Sequence, residues 1–176
     1  MLEAPAAILT AEFALRPDRR NPIHRHVCRL VPALLLSAAG VAAAPPPLPK
    51  DYCHWEMREL AIAEPLCGLS GDAERGRAIA ADSHGGNCLA CHVLPIPEEP
   101  FHGTIGPPLD GVGARYTAAQ LRARVVDEQQ INPFTIMPGF YRDPREANRV
   151  ADEFWGRTFL TAQQVEDVVA YLQTLK

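Results

Sequence analysis

Asn87-Cys88-Leu89-Ala90-Cys91-His92 is a CxxCH sequence. Two thiols three residues apart can add across the two vinyl groups of a haem, and the histidine that follows is placed to ligate its iron. Other uses of paired cysteines fit less well. A zinc site requires four ligands, and no second CxxC or His-x-x-x-His follows. A redox dithiol sits in a βαβ unit, and no parallel-sheet pattern surrounds this one. One such motif implies one covalently attached haem c with its iron.

The segment ahead of the motif supports that reading. Arg16, Arg19, Arg20, Arg25 and Arg29 precede the apolar run Leu30-Val31-Pro32-Ala33-Leu34-Leu35-Leu36, and small residues then crowd Gly40-Val41-Ala42-Ala43-Ala44. That order of basic, apolar and small-residue regions reads as a secretory signal peptide over residues 1–44, with cleavage after Ala42 or Ala43. The run is too short, and too soon interrupted by Pro45-Pro46-Pro47, to span a bilayer comfortably; an uncleaved membrane anchor is the alternative. Export to a periplasm agrees with the cysteines, because c-type haem is attached outside the bacterial cytoplasm.

The chain of 176 residues has 17 Lys+Arg against 21 Asp+Glu, a formal charge of −4. Five of those basic residues lie in the leader, so the remainder is more acidic still. A nucleic-acid binder would need a basic face, and none is present. Residues 45–70 read as a proline-rich linker and an extension holding Cys53 and Cys67. Residues 71–176 suffice for one compact domain, and no internal repeat is found.

In an oxidising compartment a bridge between Cys53 and Cys67 is the simplest reading. Continuous helix between them would hold the Cα atoms about 21 Å apart, whereas a bridge needs them within about 7 Å. A bridge therefore requires the Tyr52–Ala63 segment to end and turn back near Pro65. The alternatives are pairing with another chain and free thiols.

Periodicity gives an all-α domain. Asp72 is a fair N-cap for a first helix with Gly76, Ile79, Ala80 and Ser83 on one face. Gly76 is costly inside a helix, by about 1 kcal/mol relative to Ala, unless another helix approaches closely. Thr117-Ala118-Ala119-Gln120 and Thr161-Ala162-Gln163-Gln164 both fit the capping box. Ala118, Leu121 and Val125 form the stripe of the first; Val165, Val168, Val169, Leu172 and Leu175 form that of the second. A further helix is predicted from Asp143-Pro144-Arg145-Glu146, with Ala147, Val150, Ala151 and Phe154 facing inward. No segment reads as a convincing strand.

His92 supplies one axial position on the iron. Candidates for the other are Met137, Met57, His54, His84 and His102. Met137 lies in Pro133-Phe134-Thr135-Ile136-Met137-Pro138-Gly139, between helices rather than on an apolar stripe, and far enough downstream to reach the opposite haem face. It is the expected ligand. Met57 is expected to pack, His84 lies too close to Cys88, and His102 reads as a solvated loop side chain. A thioether opposite imidazole raises the potential and favours an electron carrier. In Gly106-Pro107-Pro108-Leu109-Asp110-Gly111, a rigid turn can offer a carbonyl to the haem histidine, and Arg115 can neutralise a propionate. An ordinary loop with a surface arginine is the alternative.

From Asp72 to Lys176 the chain resembles class I cytochromes c. In that family the carbonyl at the position of Pro107 accepts a hydrogen bond from the haem histidine. The arginine matching Arg115 approaches a propionate, and the glycine matching Gly76 packs against an aromatic of the last helix, here Tyr171. Three stretches carry a closer likeness: Gly86–His92, Gly106–Val112 with Arg115-Tyr116, and Thr135–Arg142. With the ending Leu160–Leu172 they resemble the SoxX family, monohaem subunits of the sulfur-oxidising SoxXA cytochromes.

That resemblance implies a larger haem-bearing SoxA-like partner, a SoxYZ-like sulfur carrier and a downstream cytochrome acceptor. It implies participation in an L-cysteine S-thiosulfotransferase whose sulfur chemistry lies on the partner. A free-standing electron shuttle is the competing function. A gas-binding protein or haem enzyme would require Met137 not to ligate.

Overall fold

The computed structural model describes residues 46–146 and 150–176. The expected leader, residues 1–44, lies outside the described residues. The described residues form four α-helices: α1 (Ala73–Ala81), α2 (Val112–Arg115), α3 (Ala118–Asp127) and α4 (Ala162–Thr174). Short 3-10 turns occupy Leu66–Gly68, Cys88–Ala90, Glu128–Gln130 and Asp152–Phe154. Among the described residues no strand forms, and the only bridge is Arg58 with Ala61. No described helix is long and apolar enough to cross a membrane.

The caps act as the sequence predicts. Asp72 accepts from the Arg75 amide, while Thr117 and Thr161 form reciprocal capping boxes with Gln120 and Gln164. The stripe Val165, Val168, Val169, Leu172 and Leu175 is buried throughout. α1 ends at Ala81, so Ser83 falls beyond it and is exposed.

α1 crosses α4 at Gly76. A Cβ there would lie 1.9 Å from the Asp167 backbone oxygen, so only glycine permits the approach. The nearest neighbours are backbone atoms of Asp167 and Val168. Asp167 clamps the crossing with its side chain. It accepts from the Asp72 amide at 2.8 Å, from Arg75 at 2.8 and 2.9 Å, and from Gln163 at 2.9 Å. Burial pushes its carboxyl up, but these donors outweigh it and hold the group below the usual carboxylate range.

The N-terminal extension is packed rather than loose. Cys53 and Cys67 form a disulfide with Cα atoms 5.5 Å apart. As the sequence predicts, a turn follows Pro65, with the Gly68 amide on the Pro65 carbonyl at 2.9 Å, and the chain also reverses earlier, at Arg58–Ala61. The two central residues, Glu59 and Leu60, have φ of 50° and 62°. Beyond the turn, Ile62 and Leu66 enter the core. The buried Arg122–Glu166 pair, with contacts of 2.8 Å, binds them there. Arg122 also donates to the Ile62 carbonyl, and Glu166 accepts from the Leu66 amide, both at 2.8 Å.

Of the helix predicted from Asp143, the described residues 143–146 and 150–151 show turn and irregular backbone rather than α-helix. The Asp143 carboxylate accepts from the Arg145 amide and pairs with its guanidinium, and the Glu146 amide closes a turn on the Asp143 carbonyl. Aspartate followed by proline here initiates a turn instead of a helix. Ala151 is exposed, and Phe154 belongs to the 3-10 turn. Ala147 lies outside the described residues.

A methyl group at Gly76 must push α1 off α4. Gly76→Ala is expected to destabilise the protein by about 3 kcal/mol, the upper end for overpacking because the obstacle is backbone; denaturant unfolding of the holoprotein measures it.

Candidate haem site

The CxxCH segment follows α1 directly. Gly86 donates to the Ile79 carbonyl at the end of α1, and Asn87 adopts a left-handed conformation with φ 47°. Cys88–Ala90 then make one 3-10 turn, with the Cys91 and His92 amides donating to the Cys88 carbonyl at 3.1 and 2.9 Å. Leu89 points into the core as the anchor of the turn. Cys88, Cys91 and His92 border one open cavity of about 1520 Å3.

The segment after the motif folds back onto it. Gly103 donates to the Leu89 carbonyl, Gly106 to that of Cys91, and Leu109 to that of Val93, at 2.7, 2.8 and 2.9 Å. This lacing brings the Pro107 carbonyl 2.7 Å from His92 Nδ1. A carbonyl only accepts, so Nδ1 carries the proton and Nε2 keeps its lone pair free. Gly106 lies against the ring, where a Cβ would sit 2.3 Å from His92 Cε1.

The loop after α3 contributes Met137 to the lining of the same cavity, its amide donating to Thr135 Oγ1 at 3.2 Å. Leu109, Val112, Leu121, Val125, Leu160, Val168 and Leu172 supply apolar wall. Arg115 lines the mouth, its guanidinium on the Asp110 carbonyl at 2.7 Å. All six predicted residues, Cys88, Cys91, His92, Pro107, Arg115 and Met137, therefore border the same cavity.

The other ligand candidates sort themselves. His102 accepts from the Leu94 amide with Nδ1, so its Nε2 carries the proton and donates to the Glu99 carbonyl. Both nitrogens are engaged, and it is not the solvated side chain the sequence predicts. Met57 packs against the core, and His54 is exposed away from the cavity. His84 stands at the cavity edge beside the CxxCH turn.

One lining residue escaped the sequence reading. Arg124 stacks 4.4 Å over the Tyr116 ring and pairs with Glu128 at 2.8 Å, while its Nε is buried without a partner. It shows as an ordinary polar position on α3, and only the fold turns it inward.

These residues fit a covalent haem. Two free thiols, an oriented imidazole and a thioether meet around an apolar cavity larger than the 300–1,000 Å3 (roughly) of ordinary ligand pockets. Arg115 and Arg124 add two cations to the lining of the cavity. Burial pushes the Cys88 thiol up to about 11, as expected for a sulfur set in an apolar wall.

Gly106→Ala is expected to displace the His92 ring and break its bond to Pro107. A weaker acceptor makes the imidazole a poorer donor to iron, so the reduction potential should rise; potentiometric titration of the variant against the parent reads the change.

Residues 73–176 match the family model for cytochrome c. A comparison with curated proteins finds no match. Among solved structures, a chain of the crystal structure of SoxXA from P. pantotrophus is 42% identical, with a TM-score of 0.63, over 69% of this chain and 94% of that one. The chain belongs to the cytochrome c family, and within it is a SoxX-like monohaem cytochrome with one covalently attached haem c.

Proposed function

We propose that this protein is the electron-accepting monohaem subunit of a SoxXA-like complex that oxidatively attaches thiosulfate to a carrier-protein cysteine. The observation that carries the proposal is the 42% identity to a SoxXA chain across 94% of its length. The partner is a SoxA-like haem-bearing subunit, the carrier a SoxYZ-like protein, and the recipient of the electrons a downstream cytochrome. The compartment is the periplasm, reached through the leader at residues 1–44.

In this reading Cys88 and Cys91 hold the cofactor through thioether bonds. His92, its Nδ1 proton committed to the Pro107 carbonyl, would ligate the iron through Nε2, and Met137 would supply a thioether ligand. Haem c supplies a one-electron ferric–ferrous couple. Arg115 neutralises a propionate at the mouth. The apolar wall excludes water from the ligands, which with the thioether favours the reduced state.

The sulfur chemistry belongs on the partner, and the cysteine inventory supports this. Cys53 and Cys67 bridge each other, and the only free thiols among the described residues are those of the haem motif. Cys28 lies in the expected leader, outside the described residues. No described thiol is left over to carry a sulfur adduct.

Gentle purification from the native periplasm tests the assignment. A stable pair of this one-haem chain and a larger haem-bearing subunit, with thiosulfate-dependent mass addition to the carrier, is the expected result. A lone monomer would instead identify a free-standing electron shuttle. For the axial assignment, Met137→Ala should retain covalent haem, lower the reduction potential and abolish the thioether–iron charge-transfer band. An unchanged spectrum would assign the ligand elsewhere.

A further inference from the structure

The segment carrying Met137 leaves α3 at Asp127 and returns to it at Arg142. Asp127 is fully buried, yet it lines no part of the haem cavity. Its carboxylate takes Arg142 Nε at 3.0 Å and Nη2 at 3.3 Å, the Gln130 side-chain amide at 3.2 Å and the Gln129 backbone amide at 3.3 Å. Gly139 passes directly over it, with its Cβ position 3.0 Å from Oδ1. Alongside, the Phe140 and Tyr141 amides donate to the Val125 and Val126 carbonyls, both at 3.2 Å. The loop is thus fastened at its base by one ion pair and two backbone bonds.

Local structure does not account for this carboxylate. It is the last residue of α3, where a negative charge opposes the helix dipole. Capping the 3-10 turn at Glu128–Gln130 requires neither burial nor a guanidinium fork. What those features do serve is the return of the chain at Arg142, fifteen residues on.

We propose that Asp127, through Arg142, is the positioning residue for the Met137 thioether. This rests on Met137 as the axial ligand. A tethered ligand competes with free ligands through an effective concentration set by its tether. Fastening the base of the loop narrows where the sulfur can go and raises that concentration. Asp127 touches neither sulfur nor cofactor and acts only through the loop.

The test is a titration of ferric holoprotein with imidazole, followed by the shift of the Soret band, with the thioether–iron charge-transfer band read alongside where it is present. Asp127→Asn is expected to bind imidazole about tenfold more tightly than the parent, because the closed, sulfur-ligated population falls. Arg142→Lys, which keeps the charge but loses the fork, should fall between. Asp167→Asn removes an equally buried carboxylate at the α1–α4 crossing and should lower thermal stability without changing imidazole affinity. Parent-like affinity in Asp127→Asn, or an equal gain in Asp167→Asn, overturns the proposal. If Asp127→Asn gives no folded holoprotein, Arg142→Lys decides by the same criterion. Met137→Ala separates the two readings: a large gain there keeps the axial assignment whatever Asp127 does, and no gain removes it together with this proposal.

Discussion

The approach of α1 to α4 at Gly76 sets the frame into which everything else fits. α1 delivers the chain to the CxxCH turn through the Gly86–Ile79 bond, while α4 sends Val168 and Leu172 into the cavity wall. The separation of these helices is therefore also the separation between the attachment turn and one side of the cavity. A backbone-to-backbone contact is well suited to fix it, since packed backbone leaves no rotamer to give way.

A cofactor-centred fold has a particular difficulty. Much of its apolar surface faces the ligand, so side-chain packing alone specifies the arrangement of elements weakly. Here three buried carboxylates, Glu166, Asp167 and Asp127, each meet an arginine from another part of the chain. Burying such pairs adds little net stability, but a misplaced partner leaves an uncompensated charge inside, which is strongly unfavourable. The pairs act as registration marks. One ties the extension to α3 and α4, one fixes the helix crossing, and one closes the loop of Met137.

The residues brought together around the cavity were readable in advance because their chemistry leaves little freedom. CxxCH, the Pro107 turn and the loop methionine each declare themselves by residue type and spacing. Capped amphipathic helices were equally plain, since Thr117, Thr161 and the α4 stripe are local signals. What escaped were groups whose role depends on distant partners. Glu166 and Asp167 sit between apolar positions of α4 and read as solvated; Arg122 and Arg124 do likewise on α3. The segment after Asp143 carries real helix-start signals, Pro and Glu at suitable positions, yet the side chain of Asp143 is taken by Arg145. In the extension, two positive φ values at Glu59 and Leu60 permit a reversal that neither residue type announces.

Cysteine serves this chain in two incompatible ways, and the fold must be reached with both kept apart. Among the four described cysteines a single bridge can form in six ways, and only Cys53–Cys67 leaves both Cys88 and Cys91 available. The two are also the closest pair in sequence, so the same oxidant that joins Cys53 to Cys67 readily closes them. Thioether formation is irreversible, whereas disulfides exchange. If haem arrives first, the remaining pairing is settled by elimination. If oxidation comes first, a reductant must reopen the motif before assembly can proceed. Maturation of this small protein is thereby an ordering problem, with the bridge in its extension as the step that can safely wait.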